Sequence, residues 1–337
     1  MEKKIVQIAV TKASHLLSGK NLLQQDLDYA NIAINGNDNK LFIDPILIYG
    51  DQNRSPLAKT CWLILEDYFQ TIFTEIKNGT FTKKSHTLDH LSEQNMFRIG
   101  HSKYKENKNS RGNGCSRELL FGILDNIGFD ELNDMIEKQL IKEPMDVYLY
   151  VKGLGEDRMS DLITNVLLQE LTQYTEDIFL NSDSKNQLKT TPSTAWGWNR
   201  KKHCWEEFHY NQLLDFSDNP LGFIPKRFLT GKYKYSPKRF FQGAVLEHLQ
   251  QQYLLEHPEE KKPTKKSLIF EISKTIPGNF SKKDYIIDYI IEYTLKNPSL
   301  ATTFRNTNCN GAMGTQYLGY LSDNDLTNII NKPYDIS

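Results

Sequence analysis

Residues 146–165 read DVYLYVKGLGEDRMSDLITN, and the hydrophobic pattern changes period inside this stretch. Asp146 to Val151 is a short β-type run of valine, leucine and tyrosine. GLGEDRMSD then supplies the glycines and capping residues of a turn. Beyond it Ile163, Leu167, Leu171, Tyr174 and Ile178 recur at helical spacing, an apolar stripe along one long amphipathic helix. A strand that passes through a glycine turn into a helix belongs to α/β and α+β architectures.

Upstream, Lys40 to Tyr49 reads KLFIDPILIY. Its β-branched and aromatic residues predict a strand, and Asp44-Pro45 bends it or places it at an edge, because proline cannot donate to a ladder. Ser55-Pro56 opens a helix carrying Leu57, Cys61, Leu65, Tyr68, Ile72 and Ile76, closed by Asn78-Gly79. Residues 82–114 turn polar and basic and read as a long loop or insertion. Helices are expected from Ser116 to Gly128 and from Glu131 to Ile141. Asn181 to Pro192 is linker-like, and the segment holding Trp196, Trp198 and Trp205 has no assigned structure. LGFIPKRFL suits a short buried strand. Further helices start at Ser236-Pro237, at Ser281 with Asp284, and after Ser322. At the amino terminus Lys3 and Lys4 precede a short apolar stretch, but Lys12 and His15 interrupt it, so Ile5, Ile8 and Val10 suit a first strand better than a secretion signal.

The expected fold is therefore α/β or α+β, a mixed sheet with flanking helices and a helix-rich C-terminal part. Residues 1–180 form a mixed α/β body with a polar insertion near 82–114. Residues 181–337 continue that body and add a helical C-terminal layer. Apolar residues make up 39% and charged residues 25% of the 337, which places the chain among folding sequences and not disordered ones. A net charge of −1 argues against a protein that binds DNA by wholesale counterion release, although local basic patches remain open. Cys61, Cys115, Cys204 and Cys309 form no CxxC pair, so a zinc knuckle or redox dithiol is not indicated. No run of about 18 uncharged apolar residues occurs, so no transmembrane helix is expected. Abundant Lys, Asn, Ile and Tyr point to an AT-rich, bacterial genome, and the expected compartment is the cytoplasm.

The densest chemistry lies from Lys152 to Asp161, with Asn165 one turn further. Asp157 and Asp161 are four apart, so on a helix both carboxylates share a face and suit a hard divalent cation. Arg158 has the planar fork that grips phosphate, and Asn165 adds an oxygen. The competing reading is that Asp157 and Ser160 are ordinary helix caps. Asp44 would bring a third carboxylate, and three such groups are what metal-dependent phosphodiester hydrolysis requires; its plainer role is an Asp-Pro turn. Lys226 in FIPK fits no fixed motif: nucleases of the restriction-enzyme type use two acids and a lysine, yet Ile224 stands where their acid-x-lysine pair needs the acid. Arg111 to Arg117 opens a helix and could cradle phosphate, without Walker spacing. His86, His90, His101, His203 and His209 show no zinc-motif spacing, Cys204 beside His203 makes a poor nucleophile dyad, and the tryptophans, though able to stack on bases, fit a core better.

GLGEDRMSDLITN, with LFIDP upstream and FIPK downstream, resembles segments of uncharacterised bacterial proteins found near restriction and phage-defence genes. The resemblance implies a cytoplasmic bacterial setting and nucleic acid or nucleotide chemistry. The expected activity is metal-dependent phosphodiester hydrolysis of nucleic acid by an anti-phage effector. Asp157, Asp161 and Lys226 would be catalytic; Asp44, Asp157 and Asp161 would hold Mg²⁺ or Mn²⁺; Arg158, Asn165, Arg111 and Arg117 would bind substrate. Two alternatives stand beside it: a non-catalytic sensor or assembly subunit with a protein partner in a defence complex, and a hydrolase of small nucleotides such as NAD or ATP.

Overall fold

The computed structural model of the chain describes residues 11–20, 22–34, 38–100, 115–183, 188–275, 283–314, 317 and 319–331. The strand expected around Ile5, Ile8 and Val10 lies outside these residues, as do His101 and Arg111.

A short helix α1 (Ala13–Ser18) precedes the two-residue strand β1 (Phe42–Ile43), helix α2 (Pro45–Asp51) and the long helix α3 (Pro56–Lys77). Helices α4 (Arg117–Asp125), α5 (Phe129–Glu137), α6 (Pro144–Tyr150), α7 (Glu156–Val166) and α8 (Leu168–Leu180) follow. Next come β2 (Thr190–Asn199), β3 (Cys204–Leu213) and β4 (Leu229–Thr230). Helices follow: α9 (Pro237–Phe240), which runs through a π turn at Phe241–Val245 into α10 (Leu246–Glu256), then α11 (Lys265–Thr275), α12 (Lys283–Lys296), α13 (Ser299–Met313) and α14 (Asp323–Ile330). The fold is α+β with a helix-rich C-terminal part. Among the described residues the strands form two antiparallel pairs, β1 with β4 and β2 with β3, and not one mixed sheet.

Several local expectations hold. The Ser55 hydroxyl accepts from Ala58 N and Pro56 is the first helical residue of α3, which ends at Asn78 before Gly79 in the left-handed region (φ 65°). Others are overturned by tertiary burial. Residues 146–150 are not a strand but most of α6, whose seven residues are all buried, with Val151 as its C-cap. Pro144 begins the helix, and the Asp146 carboxylate accepts from Lys142 N and Glu143 N at 3.0 and 2.8 Å; a fully buried segment shows no alternation from which its state can be read. Likewise Lys40 to Tyr49 is a strand only at Phe42–Ile43, because Asp44 caps α2 and Pro45 starts it.

The helix expected to run unbroken to Ile178 is interrupted at Leu167, which ends α7 and begins α8. Val166, Leu167 and Leu168 are all buried, and three successive apolar residues cannot share one straight stripe. Residues 82–100 are a largely irregular connection, as expected, but a packed one. They make two single-turn helices whose Leu88 and Phe97 are fully buried, apolar anchors hidden within a polar composition.

The tryptophan segment, with the last three residues of the expected linker, Thr190 to Pro192, forms the β2–β3 hairpin, with ten residues in each strand. Asn199 Oδ1 accepts from Lys201 N and Lys202 N, and His203 takes a left-handed conformation (φ 51°), which together turn the chain. Trp198 and Trp205 pack edge-on to each other at 5.6 Å and against Tyr68 of α3. The core reading of the tryptophans holds for these two, at 2% and 7% exposure, and fails for Trp196 at 38%.

Candidate functional site

Strand β1 runs against the start of α7, where Ile43 N donates to Ser160 Oγ at 2.9 Å. Asp157 and Asp161 lie four residues apart on the same helix, as the spacing requires. Asp161 is half-buried, and its carboxyl is pushed up to about 7, first by burial and then by the charges of Asp157, Glu93 and Asp38; a hydrogen bond from Cys115 N works in the opposite direction. Gly100 borders the same niche. Its φ of 124° favours glycine, and a Cβ there would stand 2.8 Å from Asp157 Oδ1. Bare backbone thus lets the carboxylate approach.

The other expected residues carry contacts of their own. Asp44 is 0% exposed; its Oδ1 accepts from Ile46 N at 3.1 Å and its Oδ2 has no hydrogen-bond partner. Burial pushes its carboxyl up to about 7, with the charge of Glu156 adding to the effect. The turn-forming role is the one it fills. Asn165 is bonded at both ends of its amide: Oδ1 accepts from Ser92 N and Gln94 Nε2, while Nδ2 donates to Ser92 O and Asp161 O. It fastens residues 92–94 to α7. Lys226 pairs with Asp323 at 2.9 Å and donates to Gln24 O, so its ammonium serves the packing of α14. Arg158 donates to Gly153 O at 2.7 Å. Arg117 forms an ion pair with Asp89 and donates to Lys83 O.

Among the described residues no three His, Cys, Asp or Glu side chains are placed to hold one metal ion. The expected cluster of Asp44, Asp157 and Asp161 is therefore not formed. What remains suits a different kind of cation site. Mg²⁺ keeps several waters and commonly takes only one or two carboxylates, with substrate phosphates completing its shell. Asp157 and Asp161 fit that open arrangement and not a closed protein cage.

Sequence reasoning missed Glu93 and Asp38, whose approach to Asp161 depends on separate segments meeting. It also missed a buried network. Asp146 Oδ2 accepts from Arg305 Nε at 2.7 Å, and its Oδ1 accepts from Tyr235 Oη at 2.5 Å. Arg305 further donates to the carbonyls of Gln139 and Leu140. No spacing in the sequence announces a pair 159 residues apart.

No curated protein and no solved structure matches this chain. Residues 20–236 match a family described as a domain of unknown function, DUF8370. That stretch holds α7 with its acidic niche and the whole β2–β3 hairpin. Because the match spans more than half of the 337 residues, the chain belongs to the DUF8370 family.

Proposed function

We propose that the protein hydrolyses phosphodiester bonds of nucleic acid with Mg²⁺ or Mn²⁺, in a bacterial defence setting, at the niche of Asp157 and Asp161. The observation that carries this proposal is the crowding at Asp161. Burial and three acidic neighbours hold its carboxyl near 7, and a partly exposed group so strongly perturbed by named charges is a mark of functional sites. A divalent cation would relieve that repulsion and supply Lewis-acid stabilisation of phosphoryl oxygens. Burial and the neighbouring charges push the Asp161 carboxyl up to about 7, a hydrogen bond from Cys115 N orients it, and the half-buried Arg158 follows Asp157 in the helix.

The test uses labelled single- and double-stranded DNA and RNA with Mn²⁺ or Mg²⁺. Cleavage is expected from the native chain and lost in Asp161→Asn with an unchanged near-ultraviolet circular dichroism spectrum. Cleavage that survives the substitution removes the niche from the reaction. Breakdown of NAD or ATP in place of polynucleotide would move the chemistry to small nucleotides.

A second reading, a non-catalytic sensor or assembly subunit, is favoured by one observation: Asp44, Ser160, Asn165 and Lys226 are all engaged as caps, ties or pairs. A folded chain that cleaves none of these substrates in either metal supports it.

A further inference from the structure

The tip of the β2–β3 hairpin lies far in sequence from the acidic niche and carries the opposite charge. Its turn is Arg200-Lys201-Lys202-His203, all four exposed. His86 Nε2 meets His203 O at 3.0 Å, which holds the single-turn helix His86–Leu88 beside the tip. The two residues Lys83 and Lys84 just before it are exposed as well. Five cationic side chains therefore share one end of the hairpin.

The nearby carboxylates are largely engaged. Asp67 accepts from Trp198 Nε1 at 2.8 Å and pairs with His203 Nδ1 at 2.8 Å. Glu75 accepts from Thr87 Oγ1 and lies 3.5 Å from His86 Nδ1. Glu206 pairs with Lys202 and Asn199. Glu207, exposed and opposite Trp196, is a single acid against the remaining cations.

Next to this charge sits an aromatic surface. Trp196 is 38% exposed although Trp198 and Trp205 beneath the same face are buried. His90 stacks on its indole at 3.9 Å with a 6° interplanar angle, and His90 itself sits in the left-handed region (φ 58°), a backbone conformation that a non-glycine residue holds at a cost. The two rings thus form a flat platform whose tryptophan still reaches solvent. Further along the same hairpin, Pro192, Thr194, His209 and Asn211 line an open groove of about 550 Å³.

We propose that this hairpin binds single-stranded nucleic acid, with Lys83, Lys84, Arg200 and Lys201 on the phosphates and Trp196, backed by His90, under a base. Cations that track a backbone beside an exposed aromatic ring are the combination that holds single strands without reading their sequence. An acidic protein segment would satisfy the cations and leave the indole without a planar partner. The surface shares with the hydrolase proposal only its class of ligand, and it stands whether or not the niche cleaves anything.

The probe is a fluorescein-labelled oligothymidylate of about 20 nucleotides, followed by anisotropy with the full chain in EDTA, so that cleavage plays no part. Binding is expected to weaken with salt, and Arg200→Glu with Lys201→Glu to weaken it by at least about tenfold and flatten the salt dependence. Trp196→Ala is expected to weaken it about fivefold or more with the salt slope kept, and Trp196→Phe to restore most of the loss. Near-ultraviolet circular dichroism checks that each variant is folded. Affinity unchanged in both the charge and the tryptophan variants overturns the proposal. So does poly-L-glutamate competing as well as the oligonucleotide with no loss in Trp196→Ala, which would assign the surface to an acidic protein. A native chain that binds the oligonucleotide but cleaves nothing with Mg²⁺ or Mn²⁺ would count against the niche and leave this surface standing.

Discussion

Asp44 and Asp161 are two carboxyls pushed to about the same value, near 7, for overlapping but distinguishable reasons. Asp44 is sealed in the interior, whereas Asp161 combines partial burial with three acidic neighbours. An acid whose folded pKa lies above its unfolded value costs no stability below the unfolded value, near 3.8 here. The cost then grows with pH up to the folded value and stays constant above it. Stability is therefore expected to fall between about pH 4 and pH 7. In Asp44→Asn, which keeps an acceptor for Ile46 N, much of that fall should vanish. Relative to the native chain the variant should gain roughly 2–3 kcal/mol between pH 5 and pH 8 in urea melts. Parallel melting curves for the two proteins across this range would show that Asp44 does not hold its proton. A cation bound at the niche should lower the value for Asp161 and leave Asp44 unmoved, which carboxyl-region NMR would resolve.

Two contacts between helices decide whether the body stays closed. Gly50 of α2 lies so near α13 that a Cβ would overlap Ala312 O and stand 2.5 Å from Tyr320 Oη. Backbone cannot retreat as a side-chain tip can, so Gly50→Ala should cost at least about 2 kcal/mol in denaturant melts. The second is the pair of Arg305 on α13 with Asp146 on α6, at 5% and 1% side-chain exposure. Removing one member strands the other charge in the interior. Arg305→Leu is expected to cost about 3–5 kcal/mol, and adding Asp146→Asn should recover part of the loss. A loss below about 1 kcal/mol for Arg305→Leu would mean that water reaches Asp146 when the guanidinium is gone.

The family match ends at residue 236, yet the molecule does not close there. Arg305 comes from beyond that point, α13 packs on α2, and Lys226 meets Asp323 of α14. A fragment comprising residues 1–236 would expose the apolar face of α2 and leave Asp146 buried without its cation. It should retain far-ultraviolet helical signal, lose near-ultraviolet signal and bind anilinonaphthalene sulfonate. A cooperative melt with native-like near-ultraviolet signal would show that the C-terminal helices are an addition and not part of the core. Among the described residues no helix is long and apolar enough to cross a membrane.

Local chemistry was legible wherever it is carried by neighbours in the chain. Ser55-Pro56 and Asn78-Gly79 bound their helix because a cap, a fixed φ and a left-handed turn need nothing from afar. The spacing of Asp157 and Asp161 put both on one helix for the same reason. What folded contacts alone decided is where burial and distant charges fall. DVYLY becomes helix because α6 is enclosed on every side, Asp44 becomes a sealed cap, and Asn165 ties residues 92–94 to α7. Glu93 and Asp38 reach Asp161, and Arg305 reaches Asp146, only once separate segments meet. Hydrogen bonds between neighbours follow from covalent geometry, but desolvation and charge pairing depend on what else arrives in space, and a linear order of residues does not contain that information.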